Sequence, residues 1–215
     1  MKVAVLIPFR PGTGRDHNLS VTAAQWNNWF VYCADSDGEL FNRSQAINRA
    51  ARQAGDADVY VIHDCDILLA NPQQAVDASL IAMSETSYVV AFSTLKVLDW
   101  EATHAVHKGA SVTEQPVLEQ VRRIWGNCFA ISRTLFDQVG GFDERFRGWG
   151  AEDIAFLNAC STFGGKHRVM GDAYHLRHPE PVKDHASLTD NYALGARYAQ
   201  ADGDREAILA LIGER

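Results

Sequence analysis

The sequence predicts an α/β fold, a mixed and mainly parallel central sheet with helices on both faces, in one domain over residues 1–215. Two observations lead there. Apolar runs of strand length recur between segments of helical periodicity, which is the alternation a helix-covered sheet produces. The chain has 215 residues, 47% of them hydrophobic, enough to bury one substantial core.

Residues 3–8 form the first strand, an apolar run closed by Pro8 and Arg10 and too short for the apolar segment of a signal peptide. Residues 18–30 have a mixed composition that allows a helix, and 29–34 read as a second short strand. After the polar turn Asp35-Ser36-Asp37-Gly38-Glu39, a helix over 44–54 places Ala46, Ile47, Ala50 and Ala54 on one face, and Gly55 stops it. Val59-Tyr60-Val61-Ile62 is a buried strand that runs straight into His63-Asp64-Cys65-Asp66. Pro72 opens a helix to about Met83, and the β-branched and aromatic content of 88–93 predicts a strand. Residues 99–118 lack a firm period and contain His104, His107, Gly109 and Pro116, so they are expected to form a mobile or substrate-covering insertion. A strand over 125–132, a short helix over 133–139, a helix over 152–162 and a late strand over 168–175 follow. Residues from about 181 to 215 read as a peripheral helical tail.

A formal charge of −7 and a pI near 5.6 argue against broad attraction to nucleic acid or anionic lipid. An anionic ligand would therefore require a metal or a few placed arginines. No stretch reaches the roughly 20 apolar residues of a membrane-spanning helix. Cys33, Cys65, Cys128 and Cys160 are widely spaced, which fits reduced and mostly buried thiols in a cytoplasmic protein.

Two clusters carry chemistry. Asp64 and Asp66 follow a buried strand, so they stand at its carboxyl end, where open α/β sheets place ligands. If the stretch stays extended, residues two apart share a side and both carboxylates can address one ligand. Such hard oxygen donors suit Mg²⁺ or Mn²⁺ with positions left for diphosphate oxygens. Capping of a turn by Asp64 and solvation of Asp66 is the plain alternative. The second cluster is Gly148-Trp149-Gly150-Ala151-Glu152-Asp153. Glycines around a tryptophan allow a tight path that presents the indole to the apolar face of a sugar, and a carboxylate in the first turn of a helix can serve as general base. A core Trp149 with ordinary first-turn acids is equally compatible with these residues.

In their order along the chain, Val-Leu-Ile-Pro-Phe-Arg (5–10), Phe41-Asn42-Arg43, Asp64-Cys65-Asp66, Gly140-Gly141-Phe142-Asp143, the tryptophan cluster and His175-Leu176-Arg177-His178 resemble the GT-A glycosyltransferases related to β-1,4-galactosyltransferases. They are also similar to the galactosyltransferase-like regions of bacterial chondroitin polymerases and polypeptide N-acetylgalactosaminyltransferases. The resemblance covers roughly residues 3–180. It implies a Rossmann-like GT-A fold and a UDP-sugar donor whose base lies beside Pro8, Phe9 and Arg10. Arg43 would reach the donor's phosphate or sugar, and Asp35 would fall where relatives bind uracil. It further implies Asp66 as direct ligand to Mn²⁺ or Mg²⁺, with Asp64 on ribose or in the metal shell. His175 and His178 would supply nitrogen, His175 being favoured. Asp153 would be the base and Glu152 would engage donor or acceptor hydroxyls, with Trp149 and Gly150 beside the sugar. Ala151 departs from the glycine common in relatives and narrows the pocket.

The activity so implied is transfer of a hexose or N-acetylhexosamine from UDP to a hydroxyl of a glycan, protein or small molecule, with inversion. A retaining transferase on the same fold needs no placed base. A metal-dependent nucleotidyltransferase would want a basic, glycine-rich phosphate loop, which Pro11-Gly12-Thr13-Gly14-Arg15 imitates only faintly. A non-catalytic glycan-binding module would have little use for the acidic pair.

Overall fold

The computed structural model describes residues 1–180 and 184–215; the first three positions of the expected tail lie outside the described residues. In chain order the elements are β1 (Val3–Pro8), α1 (Asp16–Ala24), β2 (Phe30–Ala34), α2 (Arg43–Ala54), β3 (Val59–His63), β4 (Ile67–Leu69), α3 (Gln73–Glu85), β5 (Ser87–Val90), β6 (Thr94–Val97) and α4 (Trp100–His107). They continue with β7 (Glu119–Arg122), β8 (Cys128–Ser132), α5 (Arg133–Gln138), α6 (Glu152–Phe163), β9 (Gly165–Arg168), β10 (Asp172–His175), α7 (His185–Gln200) and α8 (Arg205–Gly213).

Six strands form the central sheet in the order β2-β1-β3-β8-β5-β9. β1 runs parallel to β2 and β3, and β5 runs parallel to β9, while β8 is antiparallel to both of its neighbours. The sheet is thus mixed and mainly parallel, as predicted. Every residue of β3, β5 and β8 is buried, which requires cover on both faces and explains why these strands read as continuous apolar runs. In α2 the residues facing inward include the predicted Ala46, Ile47, Ala50 and Ala54. The Asn42 side chain caps it by accepting the Gln45 N–H at 2.9 Å, and Gly55 ends it at a φ of +63°.

Two predicted strands are broken. The strand expected over 88–93 stops at Val90, and the one expected over 168–175 is split between β9 and β10. Both chains leave the central sheet at one place, where the N–H groups of Ser93 and Thr94 donate to the Gly171 carbonyl at 2.8 and 3.2 Å. Gly171 has a φ of +142°, and a Cβ there would lie 2.6 Å from the Gln74 amide, so only glycine fits the bend. Beyond it the two continue in a second sheet of order β4-β10-β6-β7, in which β4 and β7 are too short for sequence periodicity to reveal.

Residues 99–118, expected to form a mobile or substrate-covering insertion, contain more regular structure than the missing period suggests. They hold α4, capped by Asp99 accepting the Ala102 N–H at 2.8 Å, and a 3-10 turn at Val112–Glu114. Ala102 and Val106 pack with Leu98, Leu68, Tyr174 and Leu176 in a small cluster against the second sheet. With eight residues, α4 is too short to impose a visible period on the sequence.

The tail is helical as expected, and it also contributes to the core. Tyr198, Ile208 and Leu211 are buried in the main apolar cluster. Tyr198 donates its hydroxyl to Asp143 at 3.0 Å and accepts from Arg215 at 2.7 Å, while Arg145 holds the same carboxylate at 2.7 Å. Among the described residues no helix is long and apolar enough to cross a membrane.

Candidate active site

A cavity of about 670 Å³ opens beyond the carboxyl ends of β1 and β3. Pro8, Phe9, Arg10, Arg43, Asp64, Asp66, Trp149, Glu152, Asp153, His175 and His178 all line it, so residues scattered over most of the chain converge. Asp35 and Gly150 do not. Asp35 accepts from Arg10 at 2.9 Å and from its neighbour Ser36 N–H at 2.6 Å. Arg10 also donates to the carbonyls of Ser36 and Glu39 at 2.7 and 2.8 Å and lies 5.5 Å over Phe41, so its guanidinium fastens the loop walling one side of the cavity.

Asp64 and Asp66 face one cavity but have different partners. The Ile67 N–H donates to the Asp64 carbonyl at 3.2 Å, which makes 64–67 a tight turn rather than the extended stretch expected, and the side-chain alternation is lost. Asp64 accepts from Arg43 at 2.8 and 2.9 Å. Asp66 joins the histidines instead, because β10 pairs antiparallel with β4, opposing His175 to Ile67, and the Leu176 N–H donates to the Asp66 carbonyl at 2.8 Å.

Ligand atoms of Asp66, His175 and His178 lie within 4.8 Å of one another. The His178 Nε2 is 3.1 Å from Asp66, and its Nδ1 lies 2.7 Å from the Pro179 carbonyl. The Arg15 guanidinium lies 3.1 Å from the same Nδ1, so a donor and an acceptor both face that nitrogen. Burial alone would raise the Asp66 carboxyl, but His178, His175 and Arg15 outweigh it and hold the group below the usual carboxylate range. Burial lowers the His175 imidazole and so favours its neutral, ligating form. One carboxylate oxygen and two imidazole nitrogens are a donor set that could hold a divalent cation. Arg15, noted in the sequence only as the end of a faint phosphate-loop imitation, has its Nε buried 3.3 Å from Asp66 without a hydrogen bond of its own.

Arg43, the first residue of α2, sits among three acids: 2.8 Å from Asp64, 2.6 Å from Asp153 and 3.8 Å from Glu152. Burial disfavours its charge, but Asp153, Asp64 and Glu152 more than restore it. Burial and the Asp153 charge raise the Glu152 carboxyl above its usual range, and burial does the same to Asp64. The Asn42 side chain donates to the Glu144 carbonyl at 2.7 Å, and the Gly148 N–H donates to the Phe41 carbonyl at 3.1 Å, so α2 and the tryptophan loop are tied together.

Trp149 is 47% exposed, which decides against the core reading. A second cavity of about 300 Å³ lies along the same loop and shares Trp149, Glu152 and Asp153 with the first, and it holds Gly150. Gly126 stands so close that a Cβ there would lie 2.5 Å from the Asp153 carboxylate. Ala151 has a φ of +70°, the left-handed region in which glycine is at ease, and it leads into α6 without a side-chain cap.

Residues 110–179, about a third of the chain, match the family model for the N-terminal domain of galactosyltransferase. No curated protein sequence matches the chain. Among solved structures, S. aureus TarS aligns at a TM-score of 0.57 and 15% identity, covering 100% of this chain and 43% of TarS. GalNAc-T7 aligns at a TM-score of 0.55 and 14% identity, covering 91% of this chain and 47% of the other. The catalytic domain of Drosophila β1,4-galactosyltransferase 7 is 21% identical at a TM-score of 0.48, with 78% of this chain and 64% of that domain covered. The chain therefore spans less than two thirds of the length of these structures. It has the GT-A fold of glycosyltransferases and, over the stretch carrying the tryptophan loop and both candidate histidine ligands, resembles the galactosyltransferases.

Proposed function

We propose that this chain is a metal-dependent glycosyltransferase that moves a hexose or N-acetylhexosamine from a UDP-sugar to a hydroxyl acceptor with inversion. The observation that carries this reading is that the Asp66-His175-His178 group opens into the same cavity as Trp149 and Asp153. A metal and a base on one cavity are what displacement of a nucleoside diphosphate by a hydroxyl needs. GalNAc-T7, of the same fold, was solved with UDP, GalNAc and Mn²⁺, which supports the donor class and the metal.

Asp66, His175 and His178 would hold the ion, whose positive charge stabilises the departing diphosphate when bound. Pro8, Phe9 and Phe41 bound the end of the cavity suited to a flat base, beside the loop that Arg10 fastens. Trp149 offers its ring to the sugar, and Asp153 accepts the proton of the attacking hydroxyl. Arg43 holds Asp153 in place at 2.6 Å and, with Asp64 on its other side, fixes the carboxylate's direction.

The test is UDP release from a panel of UDP-sugars with and without Mn²⁺, followed by the anomeric configuration of any product. Release should require the metal and fall to background in Asp66→Ala. Asp153→Asn should lower kcat by about 10²-fold or more while donor binding persists. Substantial transfer by Asp153→Asn with retained configuration would favour the retaining alternative. Absence of UDP release with every donor and metal would sink the reading altogether.

A further inference from the structure

Away from the main cavity, three of the eight histidines gather where α1 and α4 meet. His104 and His107 stand three apart on α4 and so share one face of it, and His17 comes from the first turn of α1. The centre of the His107 ring lies 5.6 Å from that of His17 and 6.1 Å from that of His104. The same distance between His175 and His178, in the group facing the cavity, is 5.1 Å. His17 and His104 are exposed, whereas His107 is partly buried and is held from behind. Asn18, itself 1% exposed, donates its side-chain N–H to the Arg177 carbonyl at 3.3 Å, which turns the amide oxygen toward the His107 Nε2 at 2.7 Å. An amide oxygen only accepts, so the neutral His107 ring carries its proton on Nε2 and keeps a lone pair on Nδ1. An imidazole with one nitrogen bonded to a fixed oxygen and the other left with its lone pair is the arrangement by which proteins orient a metal ligand. Val21 of α1 packs on the apolar cluster of Ala102 and Val106, so the two helices are held together independently of the three rings.

We infer that His17, His104 and His107 form a second metal site, outside the main cavity, which takes Zn²⁺ through three imidazole nitrogens with water completing the shell. An all-imidazole set suits Zn²⁺, whereas Mg²⁺ and Ca²⁺ hold to oxygen ligands. The two exposed rings reach a shared ion by rotation about their side-chain bonds, while His107 stays where Asn18 holds it. The ion ties α1 to α4, and both helices hold Arg177: α1 through Asn18, and α4 through the Thr103 hydroxyl, which accepts the Arg177 N–H at 2.8 Å. The tie therefore braces, from outside, the short segment that carries His175 and His178. None of this depends on the transferase reading.

The full chain is titrated with zinc chloride, calorimetry giving the affinity and long-range proton–nitrogen NMR spectra of the imidazoles giving the residues that bind. The rings of His17, His104 and His107 should respond as one set, with Nδ1 as the binding nitrogen of His107. The double variant His17→Gln/His104→Gln changes only exposed side chains and so keeps the fold. It should weaken this binding event by about tenfold or more and leave the responses of His175 and His178 unchanged. Hydrogen exchange at the Arg177 N–H should slow on zinc addition by a larger factor in the unaltered chain than in the double variant. Zinc that perturbs only His175 and His178, or a His107 response that survives the double variant at full affinity, overturns the inference. An affinity that tightens as protein concentration rises overturns it as well, since the ion would then be shared between exposed rings of two molecules.

Discussion

At the scale of single residues, the candidate base is held by what is missing as much as by what is present. Gly126 has no side chain, and a methyl there would stand 2.5 Å from the Asp153 carboxylate, which Arg43 grips at 2.6 Å from its other side. Gly126→Ala should therefore displace Asp153 and lower transfer about tenfold or more with little change in Tm, which steady-state kinetics and a melting curve will separate. His63 invites a different measurement. It is fully buried on Trp26, with ring centroids 5.1 Å apart, and burial pulls its imidazole down to about 4 from 6.5. A base depressed in the folded state contributes stability that is complete above pH 6.5 and is lost as pH falls toward 4. The loss should approach about 3 kcal/mol from this one residue, and His63→Gln should flatten the fall of Tm between those pH values. The types of these residues were legible in the sequence, but their partners were not. Asp64 and Asp66 stood out as an acidic pair, whereas the turn that assigns one to Arg43 and the other to the histidines depends on hydrogen bonds no pattern encodes.

At the scale of elements, long strands and helices with a clear apolar face were readable, and short ones were not. α2 and β3 fall almost where their patterns put them. β4, β7 and α4 have three, four and eight residues, less than the window over which a period can be counted. The packing of α6 on α7 yields a prediction that intrinsic propensity would reverse. Gly195 lies inside α7, where alanine normally improves a helix by up to about 1 kcal/mol. A Cβ at Gly195 would however lie 2.9 Å from the Ala151 methyl, which the left-handed backbone at Ala151 fixes in place. Gly195→Ala should lower the Tm, and pairing it with Ala151→Gly should recover most of the loss, a coupling that a double-mutant cycle measures.

At the scale of the whole molecule, the last helices brace the site from behind. Buried Asn191 of α7 donates to the carbonyls of Arg147 and Trp149 at 2.8 and 3.1 Å and accepts the Arg147 N–H at 3.2 Å, so three bonds pin the tryptophan loop. Asn191→Ala removes the partner of those partly buried backbone groups and should cost about 1–3 kcal/mol. Denaturant unfolding reads that cost, and broadening of the Trp149 indole resonance would show the loop released. The sequence by itself determined the α/β class, the buried central strands and about half of the side chains lining the main cavity, because apolar period and chemical type are local properties of a chain. Only the tertiary structure decided that the acidic pair divides, that Arg43 sits among three carboxylates, that Arg15 stands beside Asp66 and His178 and that the tail supports the loop. Those relations join residues far apart in sequence, and they arise from strand pairing and close packing, which act through space and leave no periodic trace in the chain.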